Sequence, residues 1–167
     1  MPSLNIKHQL TENVKLLHKV ALVANDKVLI LKRAEDATSR PGKWDLPGGN
    51  CEWPNSLNSN QINPHQVDIS REIKEETGIE IAPVEFDITK LAYFATYFEY
   101  ERQLYSVNCG WIVSLGKEFA NHNHLPPVSI SSEHVDYKWI TLDQLDQYDF
   151  GGPERDYETA IIRQALS

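Results

Sequence analysis

Residues 63–79 read NPHQVDISREIKEETGI, and the placing of the acids in this stretch governs how the rest of the chain is read. At 3.6 residues per turn, Asp68, Glu72, Glu75 and Glu76 fall within about 100° of one another. Ile69 and Ile73 mark the neighbouring apolar face. Asn63 suits an N-cap, Pro64 the first helical position, and Gln66 can complete a capping box. Gly78 supplies the stop. The pattern predicts a helix over 64–77 with one packing side and one side of carboxylates. That arrangement is locally unfavourable. Like charges at i,i+4 destabilise by roughly 0.2–0.5 kcal/mol per pair. Glu75 and Glu76 also sit in the last turn, where the helix dipole disfavours anions by roughly 0.3–1 kcal/mol each. Local rules broken in concert mark candidate functional sites. A hard divalent cation such as magnesium, which takes oxygen ligands, would relieve the repulsion. An acidic helix face can equally be solvated, so the cluster taken alone leaves both readings open.

Upstream of the helix, 50–63 is rich in Asn and Ser and reads as a long surface loop, the kind that is often functional. It follows Pro47-Gly48-Gly49, and a short strand over Trp44–Leu46 leads into that turn. The stretch 34–43 is polar with Pro-Gly and reads as a loop. His18–Ala24 and Lys27–Arg33 are β-rich runs separated by the turn-like pair Asn25-Asp26, so a hairpin or adjacent strands. Residues 1–17 read as an N-terminal arm or short edge element. Downstream, strands are expected at 79–84, 86–98, 103–115 and 137–140. A short helix starts at Thr141, with Gln144 three residues on, and a final helix follows Gly151-Gly152-Pro153. Mixed strands and helices in this order imply an α/β class with a mixed sheet, and 1–167 reads as one domain.

The chain of 167 residues is 41% hydrophobic and 24% charged, ordinary for a globular protein with a real core. No apolar run approaches the ~20 residues of a membrane span, and the N-terminus lacks an apolar signal core, so a cytoplasmic location is expected. The net charge of -8 argues against a non-specific nucleic-acid binder. An acidic enzyme acting on phosphates must place cations at its site, either metal ions or a few Arg and Lys. Cys51 and Cys109 form neither a zinc spacing nor a disulfide framework.

The string as a whole decides between the two readings of the acidic helix. PGG at 47–49 followed by REIKEETGI at 71–79 resembles the signature of the Nudix (MutT-like) hydrolases. That box runs Gly, five residues, Glu, seven residues, then Arg-Glu-U-x-Glu-Glu-x-Gly-U, with U aliphatic. Arg71, Glu72, Ile73, Glu75, Glu76, Gly78 and Ile79 match its second half, and Gly49 its opening glycine. The flanks LILKRA, GKWDLPGG and SSEHVDYKWITLDQL also look similar to the family, so the resemblance covers roughly 18–148. One departure stands out. The spacing from Gly49 to Arg71 exceeds the box's by about eight residues, which puts the box's first Glu on Asn55. Glu52 matches an extra acid often seen after the paired glycines. The insertion within 50–63 is expected to act as a lid or specificity loop.

The resemblance implies a Nudix-type α/β/α sandwich. It also implies Mg²⁺-dependent hydrolysis, with Mn²⁺ as an alternative ion, of a phosphoanhydride bond in a nucleoside diphosphate linked to another group. Glu75, Glu76, Glu72 and the Gly49 carbonyl would ligate the metal. Glu72 or a downstream acid, Glu133 first and Glu118 second, would take the proton from water, and Arg71 would orient the carboxylates. Arg33, Arg40 and Lys43 are candidates for phosphate contacts, with Trp44 and Tyr97 as faces for a base. Tyr97 resembles a position seen in dinucleoside-polyphosphate members, whereas the proline that ADP-ribose members use at a similar distance is absent. Partners reduce to a small-molecule nucleotide, with neither nucleic acid nor membrane expected; a homodimer is common in the family. The alternative is a non-catalytic Nudix-fold domain that binds a nucleotide or regulates a partner. A phosphate-ester isomerase on the same fold has no Cys or acid placement asking for it.

Overall fold

Asn25 and Asp26 both take positive φ, 49° and 56°, as a two-residue type I′ hairpin turn requires. They join strand β1 (Asn13–Ala24) to β2 (Lys27–Arg33), pairing Val23 with Val28 and Ala24 with Lys27. The computed structural model describes residues 13–52, 60–116, 124–152 and 156–167. Its remaining elements are β3 (Trp44–Asp45), α1 (His65–Thr77), β4 (Leu91–Glu99), β5 (Leu104–Ser114), β6 (His134–Ile140) and α2 (Asp156–Ala165). The six strands form one mixed sheet in the order β3-β2-β1-β5-β4, with β6 pairing β2. The β1–β5 pair is parallel, from Asn13↔Leu104 to Val23↔Ser114, and the other pairs are antiparallel.

β6 runs along one edge of β2, while β1 and β3 share the other. Beyond the turn, therefore, β1 and β2 splay apart. The segment after β3 fills the gap: His18 N–H donates to the Gly49 carbonyl at 2.9 Å, Val20 N–H to the Pro47 carbonyl at 2.9 Å, and Cys51 N–H to the Leu16 carbonyl at 2.8 Å. The splayed hairpin thus seats the glycine turn at the centre of the sheet.

Side chains alternate across a strand, so β1 feeds two cores. Val20 and Leu22 pack with Ile69 and Ile73 of α1, together with Phe86 and Trp111. Leu17 and Ala21 pack with Tyr157, Ile161 and Ile162 of α2 on the opposite face. The result is the expected α/β/α sandwich. No helix among the described residues is long and apolar enough to cross a membrane.

Several local expectations change. Residues 13–17, assigned to an arm, are the first part of β1. Asn63 does not cap α1: it sits at φ 56°, and no side-chain capping bond forms at Pro64, which takes the N-cap place. In that left-handed conformation the Asn63 backbone carbonyl, rather than its side chain, meets the Gln66 N–H. The Gly78 stop forms as expected, at φ 74° with its N–H donating to the Lys74 carbonyl. The stretch 79–84 is not a strand. Pro83 opens a 3₁₀ turn over Pro83–Phe86, and a second turn, Ile88–Lys90, follows with the Asp87 side chain accepting from the Thr89 N–H. Proline's fixed φ and missing N–H favour such a start over a sheet ladder. The capping box at Thr141 and Gln144 forms on a 3₁₀ helix, Leu142–Gln147. The core of the expected lid, 53–59 with Asn55, and the alternative acid Glu118 lie outside the described residues.

Candidate active site

The turn Leu46–Gly49 can be built only with glycine at position 48. Gly48 has φ 116°, and a Cβ there would lie 2.3 Å from the His18 carbonyl oxygen. Freed of a side chain, the Gly48 N–H donates to Glu76 Oε2 at 2.7 Å. Glu76 closes the acidic face of α1 and is 8% exposed. Burial pushes its carboxyl up to about 7, with help from the charges of Asp45 and Glu72 and against Lys19 and the Gly48 N–H. Glu72, one turn earlier, faces Gly49: its Oε2 lies 3.5 Å from where a Cβ on that glycine would be. Burial raises the Glu72 pKa; Arg71 opposes the rise, and Asp68 and Glu75 add to it.

Arg71 gathers the remaining acids. Its Nη2 donates to Asp68 Oδ1 at 2.5 Å and to Glu72 Oε1 at 2.7 Å, and its Nη1 to Glu75 Oε2 at 2.7 Å. Glu52 Oε2 stands 3.7 Å from Nη2. The hydrogen bond to Asp68 leads the effects that hold the guanidinium pKa above its usual value. The fork geometry of arginine suits it to several carboxylates at once.

Among the described residues, no three His, Cys, Asp or Glu side chains converge tightly enough to form a ready-made ion cage. The donor set nevertheless fits a hard divalent cation. The donors are carboxylate oxygens, the charges of Asp45 and Glu72 add to burial in raising the cost of ionising Glu76, and Arg71, which pairs with Asp68, Glu72 and Glu75, makes no ion pair with Glu76 among the described residues. The Gly49 carbonyl, expected as a ligand, accepts from the His18 N–H within the sheet.

The candidates for substrate contacts have their own neighbours. Arg40 donates to Asp45 Oδ2 at 2.8 Å, to Glu158 Oε1 at 3.3 Å and to the Phe150 carbonyl at 3.2 Å, so both of its Nη atoms have partners inside the protein. Arg33 donates to the Ser39 carbonyl at 2.7 Å and lies 3.5 Å from Asp45 Oδ2. Lys43 pairs with Asp149. Trp44 packs edge-on against Tyr148, ring centroids 5.0 Å apart. Tyr97 stands exposed on β4, opposite Ser106. Glu133 is exposed just before β6, its carbonyl accepting from the Ala34 N–H at 3.0 Å. No bond among the described residues ties its carboxylate to α1.

Two buried groups escaped the sequence reading. One is the ion network of Lys19, Asp45, Arg40 and Glu158 behind the glycine turn. The other is His18, which accepts on Nδ1 from the Trp111 indole N–H at 3.0 Å and stacks on His65. The available signal was Lys19 itself, a charge on the face of β1 that Leu17 and Ala21 assign to the core.

A family model for the NUDIX domain matches residues 18–160. The chain belongs to the NUDIX family. The expectation of a pyrophosphohydrolase enzyme follows from that membership. Solved structures share this Nudix fold at low identity. The MutT protein from Methanosarcina mazei Go1 is 21% identical, with 94% of this chain and 96% of that chain covered and a TM-score of 0.64. The NUDIX domain of Shewanella oneidensis NrtR, solved with ADP ribose, is 17% identical, with coverages of 99% and 95% and a TM-score of 0.61. A bifunctional NMN adenylyltransferase/ADP ribose pyrophosphatase from Francisella tularensis, solved with AMP and a Mn ion, is 18% identical, with coverages of 94% and 43% and a TM-score of 0.59. Among curated proteins none matches.

Proposed function

We propose that the protein hydrolyses a phosphoanhydride bond in a nucleoside diphosphate linked to a second group, with Mg²⁺ or Mn²⁺ held by Glu72, Glu75 and Glu76. The observation that carries this reading is the acidic face of α1 set against the glycine turn, with Glu76 on the Gly48 N–H and Glu72 facing Gly49. A bound divalent ion supplies charge neutralisation on the phosphates and a lowered pKa for water. Glu72, whose burial favours proton uptake, is the base for that water. Arg71 fixes the rotamers of Asp68, Glu72 and Glu75 before substrate arrives, so the acids need little rearrangement. Glu133 is the candidate for a second acid. Exposed Tyr97 offers a face for a base. The free thiols of Cys51 and Cys109 fit a reducing compartment, the cytoplasm.

The second reading, a nucleotide-binding or regulatory domain, is supported by the NrtR NUDIX domain with ADP ribose. A panel decides between them: ADP-ribose-like compounds, nucleoside triphosphates, dinucleoside polyphosphates and nucleotide sugars with Mg²⁺, read by phosphate release and product nucleotide. Turnover that falls by about 10²-fold or more in Glu72→Gln supports the enzyme. Tight binding without turnover supports the regulatory domain.

A further inference from the structure

Six backbone polar groups of the turn that faces α1 have identified partners, and three of the six are met by side chains of one buried ion network. The Leu46 N–H donates to Glu158 Oε2 at 2.9 Å. The Leu46 and Gly48 carbonyls each accept from Lys19 Nζ at 3.0 Å. The Pro47 and Gly49 carbonyls accept from β1, and the Gly48 N–H goes to Glu76. Lys19 Nζ also lies 2.6 Å from Asp45 Oδ1. The ammonium thus donates to two carbonyls of the same turn and stands in ion-pair contact with one carboxylate. Lys19 is 3% exposed, Asp45 1% and Glu158 0%.

Stability alone does not explain this choice. Withdrawing each ion from water costs several kcal/mol, and well-packed apolar residues often serve a core as well or better. What Lys19 provides and an apolar side chain cannot is a fixed orientation of the Leu46 and Gly48 peptide groups. The two carbonyls are drawn back onto one ammonium. The Gly48 N–H, on the far side of that turn, is thereby aimed at Glu76. Asp45 anchors the ammonium and is itself held by Arg40. Burial opposes ionisation of Asp45, but Lys19, a hydrogen bond from Glu158 and Arg40 outweigh it and keep its pKa below the usual carboxylate range. Burial and the Asp45 charge push the Glu158 pKa the other way, up from the usual carboxylate range, against Lys19 and Arg40.

We infer that Lys19 is a positioning residue: its buried ammonium sets the glycine turn so that the Gly48 N–H holds Glu76 in place for the reaction. The catalytic consequence rests on the hydrolase reading above; the structural part does not. Lys19→Met alone leaves Asp45 short of a partner, so the test pairs it with Lys19→Met/Asp45→Asn, which removes both charges at nearly constant shape. Two readouts are taken on folded protein. In the first, amide hydrogen exchange followed by NMR, the Gly48 N–H exchanges at least about tenfold faster in the double variant, while β5 amides keep their protection. In the second, kcat falls by about tenfold or more with KM for the nucleotide within about twofold, since Lys19 touches no substrate. Unchanged Gly48 exchange in a folded double variant overturns the inference, as does unchanged kcat in a wild-type-active system. If the wild type turns over nothing in the panel, the hydrolase reading fails separately, and the exchange measurement still decides whether Lys19 sets the turn.

Discussion

His18 is 3% exposed, and its Nδ1 is already an acceptor for Trp111. Burial, then the neighbouring His65, push its pKa down to about 4, with Asp68 opposing. An unfolded histidine titrates near 6.5. Between those values the unfolded chain binds more protons than the folded one, so folding stability falls as pH drops through that window. The full effect is on the order of 3 kcal/mol and is absent above the unfolded pKa. Urea unfolding between pH 7 and 4 should therefore show a shallower loss of stability in His18→Gln than in the wild type. The two glycines of the turn make a second residue-level contrast. Gly48→Ala combines positive φ with a clash against backbone, and should cost at least about 3 kcal/mol. Gly49→Ala meets only Glu72 Oε2, at 3.5 Å, and should cost under about 1 kcal/mol while crowding the acid proposed as base. Equal costs for the two substitutions in urea unfolding would contradict the turn geometry.

At the scale of elements, α2 reaches the sheet through a missing side chain. A Cβ on Gly110 of β5 would lie 2.5 Å from Ile161 Cδ1 and 2.7 Å from Tyr93 Cβ. Gly110→Ala should destabilise by about 1–3 kcal/mol, and by less in an Ile161→Ala background, a coupling measurable in a double-mutant cycle. On α1, Arg71 forms exposed ion pairs worth roughly 0–1 kcal/mol each. Arg71→Lys should therefore leave unfolding stability within about 1 kcal/mol and yet lower kcat, because an ammonium cannot reproduce the fork across Asp68, Glu72 and Glu75. These elements also show how far the sequence reached. The α1 stop at Gly78, the Asn25-Asp26 hairpin and the capping box at Thr141 were readable because each depends on local backbone preferences. The ion network was not, because Lys19, Asp45 and Glu158 meet only after β1, the turn and α2 are packed. Arg40 looked like a phosphate contact for the same reason: nothing local to it announces the distant Glu158. The strand expected at 79–84 failed because Pro83 opens a 3₁₀ turn there, while Ile79 and Ile81 pack into the core on the α1 side without sheet pairing.

Over the whole molecule, the net charge of -8 makes the account depend on where cations sit. Lys19 and Arg40 lie behind the turn and Arg71 pairs with Asp68, Glu72 and Glu75 on the outer side, and burial with the charges of Asp45 and Glu72 still raises the cost of ionising Glu76. An ion bound there stabilises the fold by mass action, about 2.7 kcal/mol when free metal is a hundredfold above its dissociation constant. Calorimetric titration of Mn²⁺ into the wild type and into Glu72→Gln/Glu76→Gln, at pH 8 where Glu76 is ionised, tests this most directly. The account predicts saturable uptake by the wild type that is lost in the double variant. No uptake by the wild type, even with a nucleoside diphosphate present, or the same uptake by both proteins, would contradict it.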